Sequence, residues 1–425
     1  ATMKINGDRM LSDMKALREI TDTPGAGVTR FSYSQKDQEA RAYITRTAES
    51  AGFTVRTDAI GNMFIRFAET ARQTGEGTSA TVKNVYDGTK RIVVGSHIDT
   101  VRNGGWLDGV YGVVAGLETM RTLSEDGTAA LPLELVIFAE EEGSNFGSTM
   151  TGSKFITGIY GEEELDKLQN DQGVSLREML QRCGFPEYKR EEMVWDFEQV
   201  RAMLELHIEQ GPVLERKGLS IGIVDVVYGM SVLEVTLKGV GNHAGATPMI
   251  DRRDALTAAA VCIGEAERIA KEDPERITVA TVGKISVLPN CSNVIPEEVV
   301  FTVEVRDKNE EKIHRTMDEI RDAIVSIAKQ RGVRCETRRL AYSVPVKMDK
   351  RIIERIEELA SRKGLSYTIM SSGAVHDTCL IAAHAPGGMI FVSSKGGRSH
   401  VPFEDTDEKD LVLGAQLLLD TILTI

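Results

Sequence analysis

Two apolar runs set the tightest limit on what this chain can fold into: "RIVVGSHID" (residues 91–99) and "PLELVIFAEEEG" (132–143). Between them, "GVYGVVAGLETMRTL" puts Val110, Val113, Val114 and Leu117 on one face of a helix. Apolar strands without polar alternation, joined by helices, predict an α/β fold with a mainly parallel sheet covered by helices on both faces. Such a sheet collects its functional groups at the carboxyl ends of its strands. Both runs leave their strand directly into polar residues, His97 and Asp99 in the first and Glu140 to Glu142 in the second.

A second pattern begins near residue 216. A strand "DVVYGMSVLEVTLKG", a helix "DALTAAAVCIGEAERIAKE", strands "ITVATVGKISVL" and "EEVVFTVEVRD", a helix "NEEKIHRTMDEIRDAIVSIAKQRG" and a strand "VRCETRRLAY" give the order βαββαβ, a ferredoxin-like split unit. The buried strand "GMIFVSS" and the helix "KDLVLGAQLLLDTILTI" then restore the first pattern. The expected organisation is a discontinuous catalytic domain, residues 1–215 and 335–425, interrupted by an inserted lid or dimerisation domain at 216–334. A chain of 425 residues has room for two such domains at roughly 150 residues each.

Composition excludes several roles. The net charge of −13, with no dense basic run, argues against nucleic acid. No apolar stretch approaches the roughly 20 residues that cross a bilayer, so no membrane role is expected. The first residues, "ATMKINGDRMLSDMKAL", lack the apolar core of a signal peptide, which gives a cytoplasmic expectation. Five scattered cysteines without a C-x-x-C pair support neither a disulfide framework nor a cysteine zinc site.

Three of the seven histidines share the setting of a strand exit: His97, His207 in "MLELHIEQG" and His400 in "FVSSKGGRSH". On a parallel sheet these exits converge on one edge and bring imidazoles together with carboxylates. A mixed nitrogen and oxygen donor set suits Zn²⁺, Mn²⁺, Co²⁺ or Ni²⁺ rather than Ca²⁺ or an iron–sulfur cluster. Three adjacent glutamates directly after "LVIF" place like charges at a sheet edge, a costly arrangement unless a cation neutralises them. Asp99 is spaced to accept the second N–H of the His97 ring. Asp108 opens a helix, whose dipole favours its ionised form, and an ionised carboxylate there can bridge two metals. These residues alone do not separate Glu141 from Glu142.

Taken together, "GSHIDTVRNGGWLDG", "EEEGSNFG", "ELHIEQGPVLE", "GNHAGATPM", "SNVIPE" and "GRSHVPFE" resemble the hydantoinase/carbamoylase branch of the di-metal amidohydrolases related to aminoacylases and zinc carboxypeptidases. The resemblance runs from about residue 20 to the end. It implies two divalent ions per subunit, with His97, Asp108 and His207 on one, Asp108, Glu142 and His400 on the other, and Glu141 as general base. It further implies that His243 stabilises an oxyanion, that Asn293 and Gln210 contact substrate, that Arg306 grips a substrate carboxylate, and that the inserted domain forms a homodimer. The activity implied is hydrolysis of the carbamoyl amide of an N-carbamoyl-L-amino acid. Allantoate amidohydrolase is the near alternative, with ureidoglycolate amidohydrolase and β-ureidopropionase behind it. An aminoacylase or dipeptidase is disfavoured because those relatives generally carry an aspartate where His207 stands. A catalytically inactive binding protein is disfavoured by the intact Glu141 and ligand set. One departure stands out: "SSGAVHDT" has Val375 where the family usually has glycine in "GAGHDA", which bears on the substrate pocket and not on the metal centre.

Overall fold

The computed structural model describes residues 3–68, 90–128 and 131–425. Its strands are β1 Phe53–Thr57, β2 Met63–Phe67, β3 Arg91–His97, β4 Leu133–Phe138, β5 Val200–Ile208, β6 Ile221–Val227 and β7 Gly229–Lys238. The remainder are β8 Val279–Thr281, β9 Ile285–Leu288, β10 Glu298–Asp307, β11 Arg334–Ser343, β12 Val346–Lys347, β13 Tyr367–Ser372 and β14 Gly387–Val392. Two compact units result: Ala1–Asp225 with Met348–Met370 and Val375–Ile425, and Val226–Lys347 with Ser371–Ala374.

A nine-stranded sheet, most of whose residues belong to the larger unit, runs β1-β2-β4-β3-β5-β14-β6-β12, with β13 also on β6. Its centre, β4-β3-β5-β14, is parallel, and the flanking pairs are antiparallel. β3, β4 and β14 are buried along almost their whole length, which explains their unbroken apolar sequence. The helix Val110–Glu125 lies directly on this centre. A Cβ at Gly112 would sit 2.4 Å from the Leu206 carbonyl oxygen of β5, so glycine there lets the helix approach the sheet. Because the four central strands point the same way, the ends of β3, β4, β5 and β14 form one edge, and the chain passes from β3 to β4 on one side and then from β4 to β5 on the other side of β3. That reversal is where a doubly wound sheet opens a crevice.

In the smaller unit β7 to β11 form a five-stranded antiparallel sheet in the order β11-β7-β10-β8, with β9 also on β10. β10 buries Val299, Phe301, Val303 and Val305 and turns Glu304 and Arg306 to the other face, the period of two expected of a one-sided sheet. Helices Ala255–Lys271 and Glu310–Gln330, N-capped by Asp254 and Asn309, complete a core with Ala258, Cys262, Ile320 and Ile324. The limits of this unit differ from the 216 and 334 read in the sequence. "DVVYGMSVLEVTLKG" is two strands rather than one, β6 in the large sheet and β7 in the small one, and β11 pairs with β7. No helix among the described residues is long and apolar enough to cross a membrane.

Candidate metal centre

His97 is the last residue of β3 and His207 the penultimate residue of β5. Both rings are buried. Their Nδ1 atoms lie 2.9 Å from the Asp99 carbonyl and 2.8 Å from the Ile208 carbonyl. A carbonyl only accepts, so each Nδ1 carries a proton and each Nε2 is the ring atom turned toward the carboxylates, the one that offers a lone pair when the ring is neutral. Both Nε2 atoms converge on one atom, Asp108 Oδ1, at 3.2 Å. The other oxygen, Asp108 Oδ2, faces a different set: His400 Nε2 at 3.0 Å, which also lies 3.1 Å from Glu142 Oε1. Gln210 Nε2 donates to the same Oδ2 over 2.7 Å.

Asp99 makes contact with the His97 ring through two of its groups. The His97 ring donates to the Asp99 main-chain carbonyl, and the carboxylate is 3.5 Å from Nδ1. Asp99 Oδ1 and Oδ2 also accept the backbone N–H groups of Glu141 and Glu142, at 3.3 and 3.0 Å. Asp99 therefore ties the end of β3 to the loop after β4.

The three glutamates divide. Glu140, with φ 51°, is fully buried and folds onto its own loop, accepting from Phe146 N at 2.7 Å. Glu141 turns to His97, with Oε2 3.4 Å from Nε2, and Glu142 turns to His400. Burial, reinforced by Glu142, Asp377 and Asp108, pushes the Glu141 carboxyl well above the usual carboxylate range. Burial and Asp108 raise Glu142 as well. His400, bonded to Asp108 and Glu142, is pushed up to about 10. Burial alone would raise Asp108, but His207, His400 and His97 hold it well below the usual range. The cluster thus demands positive charge at its centre, which protons or divalent cations can supply. Among the described residues, His97–Asp108–His207 and Asp108–Glu142–His400 each bring three donor atoms within ligating reach of one another. The donor set fits one or more divalent cations, since neutral imidazoles and carboxylates are their ordinary ligands.

The remaining expected residues lie in the smaller unit. His243 is exposed, and its Nδ1 accepts the N–H groups of Gly245 and Ala246 at 3.0 and 3.1 Å, so the exposed Nε2 carries the proton. Asn293 is exposed on the adjoining loop and accepts Ala244 N at its carbonyl over 3.0 Å. Arg306 is held by Glu304 at 2.5 Å and by the Gly373 carbonyl at 3.0 Å. Val375 is half-buried before His376, whose ring meets that of His207 edge-on at 4.6 Å.

Two buried glutamates beside the centre have no role assigned from the sequence. Glu205, buried inside β5, accepts Ser96 Oγ at 2.9 Å and Thr378 Oγ1 at 2.7 Å. Its signal was a glutamate in the middle of an apolar strand. Glu404, four residues after His400, is buried under the Asp108 and His400 loops.

A family model described as Peptidase family M20/M25/M40 matches residues 93–424. The chain belongs to this family, in its hydantoinase/carbamoylase branch. It is 38% identical over 408 residues, 95% of each chain, to an N-carbamoyl-L-amino-acid amidohydrolase of Paenarthrobacter aurescens. It is 35% identical over 403 residues, 93% of this chain and 92% of the relative, to an allantoate amidohydrolase of Bacillus subtilis. A hydantoinase/carbamoylase family amidase from Burkholderia multivorans superposes with a TM-score of 0.86 at 34% identity, covering 100% of this chain and 98% of that one. This M20 chain is accordingly a hydrolase of amide C–N bonds.

Proposed function

We propose that this protein hydrolyses the carbamoyl amide of an N-carbamoyl-L-amino acid, giving the free amino acid, ammonia and carbon dioxide. The observation that carries the reading is Asp108, whose two oxygens face two separate sets of imidazole and carboxylate donors. In this reading His97, Asp108 and His207 hold one divalent ion, and Asp108, Glu142 and His400 hold a second. Such ions acidify a water and polarise the amide carbonyl.

The chain's own groups do the rest. Glu141 Oε2 takes the proton of the attacking water and returns it to the leaving nitrogen, a task suited to a buried carboxylate that lies 3.4 Å from the His97 ring. His243 offers Nε2–H to the developing oxyanion. Arg306, a planar cation held by Glu304 and Gly373, pairs with the substrate carboxylate. Asn293 and Gln210 hydrogen-bond the ureido group. Products and substrate are small molecules, and the enzyme works in the cytoplasm as a homodimer joined through the smaller unit. Val261, Ile285 and Leu288, 39%, 47% and 53% exposed on that unit, supply apolar side chains that such a contact would cover.

The relative named allantoate amidohydrolase is nearly as similar as the carbamoylase, and allantoate also carries a ureido group and a carboxylate. The deciding assay is ammonia release from N-carbamoyl-L-methionine, N-carbamoyl-β-alanine, allantoate and ureidoglycolate, with Zn²⁺, Mn²⁺, Co²⁺ or Ni²⁺ restored after chelation. Highest kcat/KM on the L-amino acid derivative supports the proposal, preference for allantoate replaces it with the alternative, and no turnover of any ureido compound overturns both. Sedimentation showing a fully active monomer would remove the dimer.

A further inference from the structure

Glu404 is 1% exposed and, among the described residues, has no cation among its hydrogen-bond partners. Its two oxygens accept from two loops that are almost 300 residues apart in sequence. Oε1 accepts the backbone N–H groups of Leu107 and Asp108, at 3.0 and 2.9 Å. Oε2 accepts Ser399 Oγ at 2.8 Å and the His400 N–H at 3.4 Å, and Ser399 Oγ also lies 3.2 Å from Asp108 Oδ2. Only an acceptor with two oxygens can serve donors on both sides at once. The space is reserved for it: a Cβ on Gly105 would fall 2.2 Å from Glu404 Oε1. On the far side His400 has φ 59°, a conformation a non-glycine residue keeps only where its surroundings over-determine it.

We infer that Glu404 is a positioning residue that locks the Asp108 loop to the His400 loop and so sets the spacing of the Asp108–Glu142–His400 ligand set. The inference rests on the two-ion reading above. Glu404 touches neither substrate nor ion; it acts through the backbone of Asp108 and His400. Burying a carboxylate is costly, and here four donors offset that cost, two from each loop.

The test is metal binding. The chelated wild-type protein is titrated with Zn²⁺ against a chromophoric chelator, beside Glu404→Gln and Gly105→Ala. Glutamine keeps the volume and one acceptor, but turns an N–H₂ toward Ser399 Oγ and the His400 N–H. Alanine at 105 leaves every ligand and Glu404 itself in the sequence, and displaces the carboxylate. Both variants are expected to bind one of two ions 10- to 100-fold more weakly, as losses of ligand-orienting groups do, with the other ion little changed, and excess Zn²⁺ should refill the weakened site. Two ions held with wild-type affinity by either folded variant overturns the inference. A wild-type protein that takes up fewer than two ions instead defeats the two-ion reading. If neither variant folds, amide exchange on the metal-free wild type decides: protection at Leu107, Asp108 and His400 together supports the lock, and free exchange at these amides overturns it.

Discussion

Exchanging one carboxylate for an amide at adjacent positions should produce opposite failures. Glu141 and Glu142 are neighbours in the loop after β4, yet their side chains lie toward different imidazoles, 3.4 Å from His97 and 3.1 Å from His400. Glu141→Gln keeps the shape of a side chain that is 6% exposed and removes only its capacity to take a proton. General-base catalysis contributes about 10²- to 10⁴-fold, which at about 1.4 kcal/mol per decade is about 3–5 kcal/mol of barrier. Turnover should therefore fall by at least about 100-fold while both ions remain. Folding should not suffer, because burial and three neighbouring carboxylates disfavour the ionised form of Glu141 that the amide replaces. Glu142→Gln removes a donor from the Asp108–Glu142–His400 group, so ion content after gel filtration should fall toward one per chain. Ammonia release and elemental analysis of the same preparations give both readouts. Turnover of Glu141→Gln within tenfold of wild type, or loss of an ion from Glu141→Gln with both retained in Glu142→Gln, would refute the division of roles.

Three further outcomes are expected. Arg306→Ala should lower kcat/KM on a carboxylate-bearing ureido substrate by about 10- to 100-fold, the worth of a hydrogen-bonded charge at about 1.5–3 kcal/mol, and leave the corresponding primary amide analogue nearly unaffected; equal losses on both would remove the carboxylate role. Chelation should lower the melting temperature, because an ion present at 100 times its Kd contributes about 2.7 kcal/mol; a melting curve indifferent to chelator and to added Zn²⁺ would count against an ion bound to the native state. Arg30→Met should cost about 3 kcal/mol or more in urea unfolding, since the fully buried guanidinium donates to the carbonyls of Ile98, Leu17 and Ile20 at 2.8, 2.9 and 2.8 Å and each orphaned carbonyl costs about 1–3 kcal/mol. An unchanged urea midpoint would show that those carbonyls find other partners.

Much was legible in the sequence because its signals were local. A short unbroken apolar run that ends in polar residues reads as a strand buried on both faces, so β3, β4 and β14 followed from composition over a few residues. The polar residue that ends such a run must lie at the sheet's carboxyl edge, and this brought His97, His207 and Glu142 together before any coordinates. Arg306 was named by the resemblance alone; that it faces away from the buried valines of β10 came with the structure.

Tertiary structure decided what depends on the contact of segments far apart in the chain. Local spacing put Asp99 beside the His97 ring, where its carboxylate lies 3.5 Å from Nδ1; that the same carboxylate also accepts the backbone N–H groups of a loop more than forty residues away only the fold decided. The run read as a single strand from 225 to 239 divides between two sheets, because each half finds a different partner. Nothing local shows what Glu404 and Glu205 do; their roles appear only with the distant donors they serve. A sequence states which groups must leave water; only the assembled fold states which buried donor each buried acceptor meets.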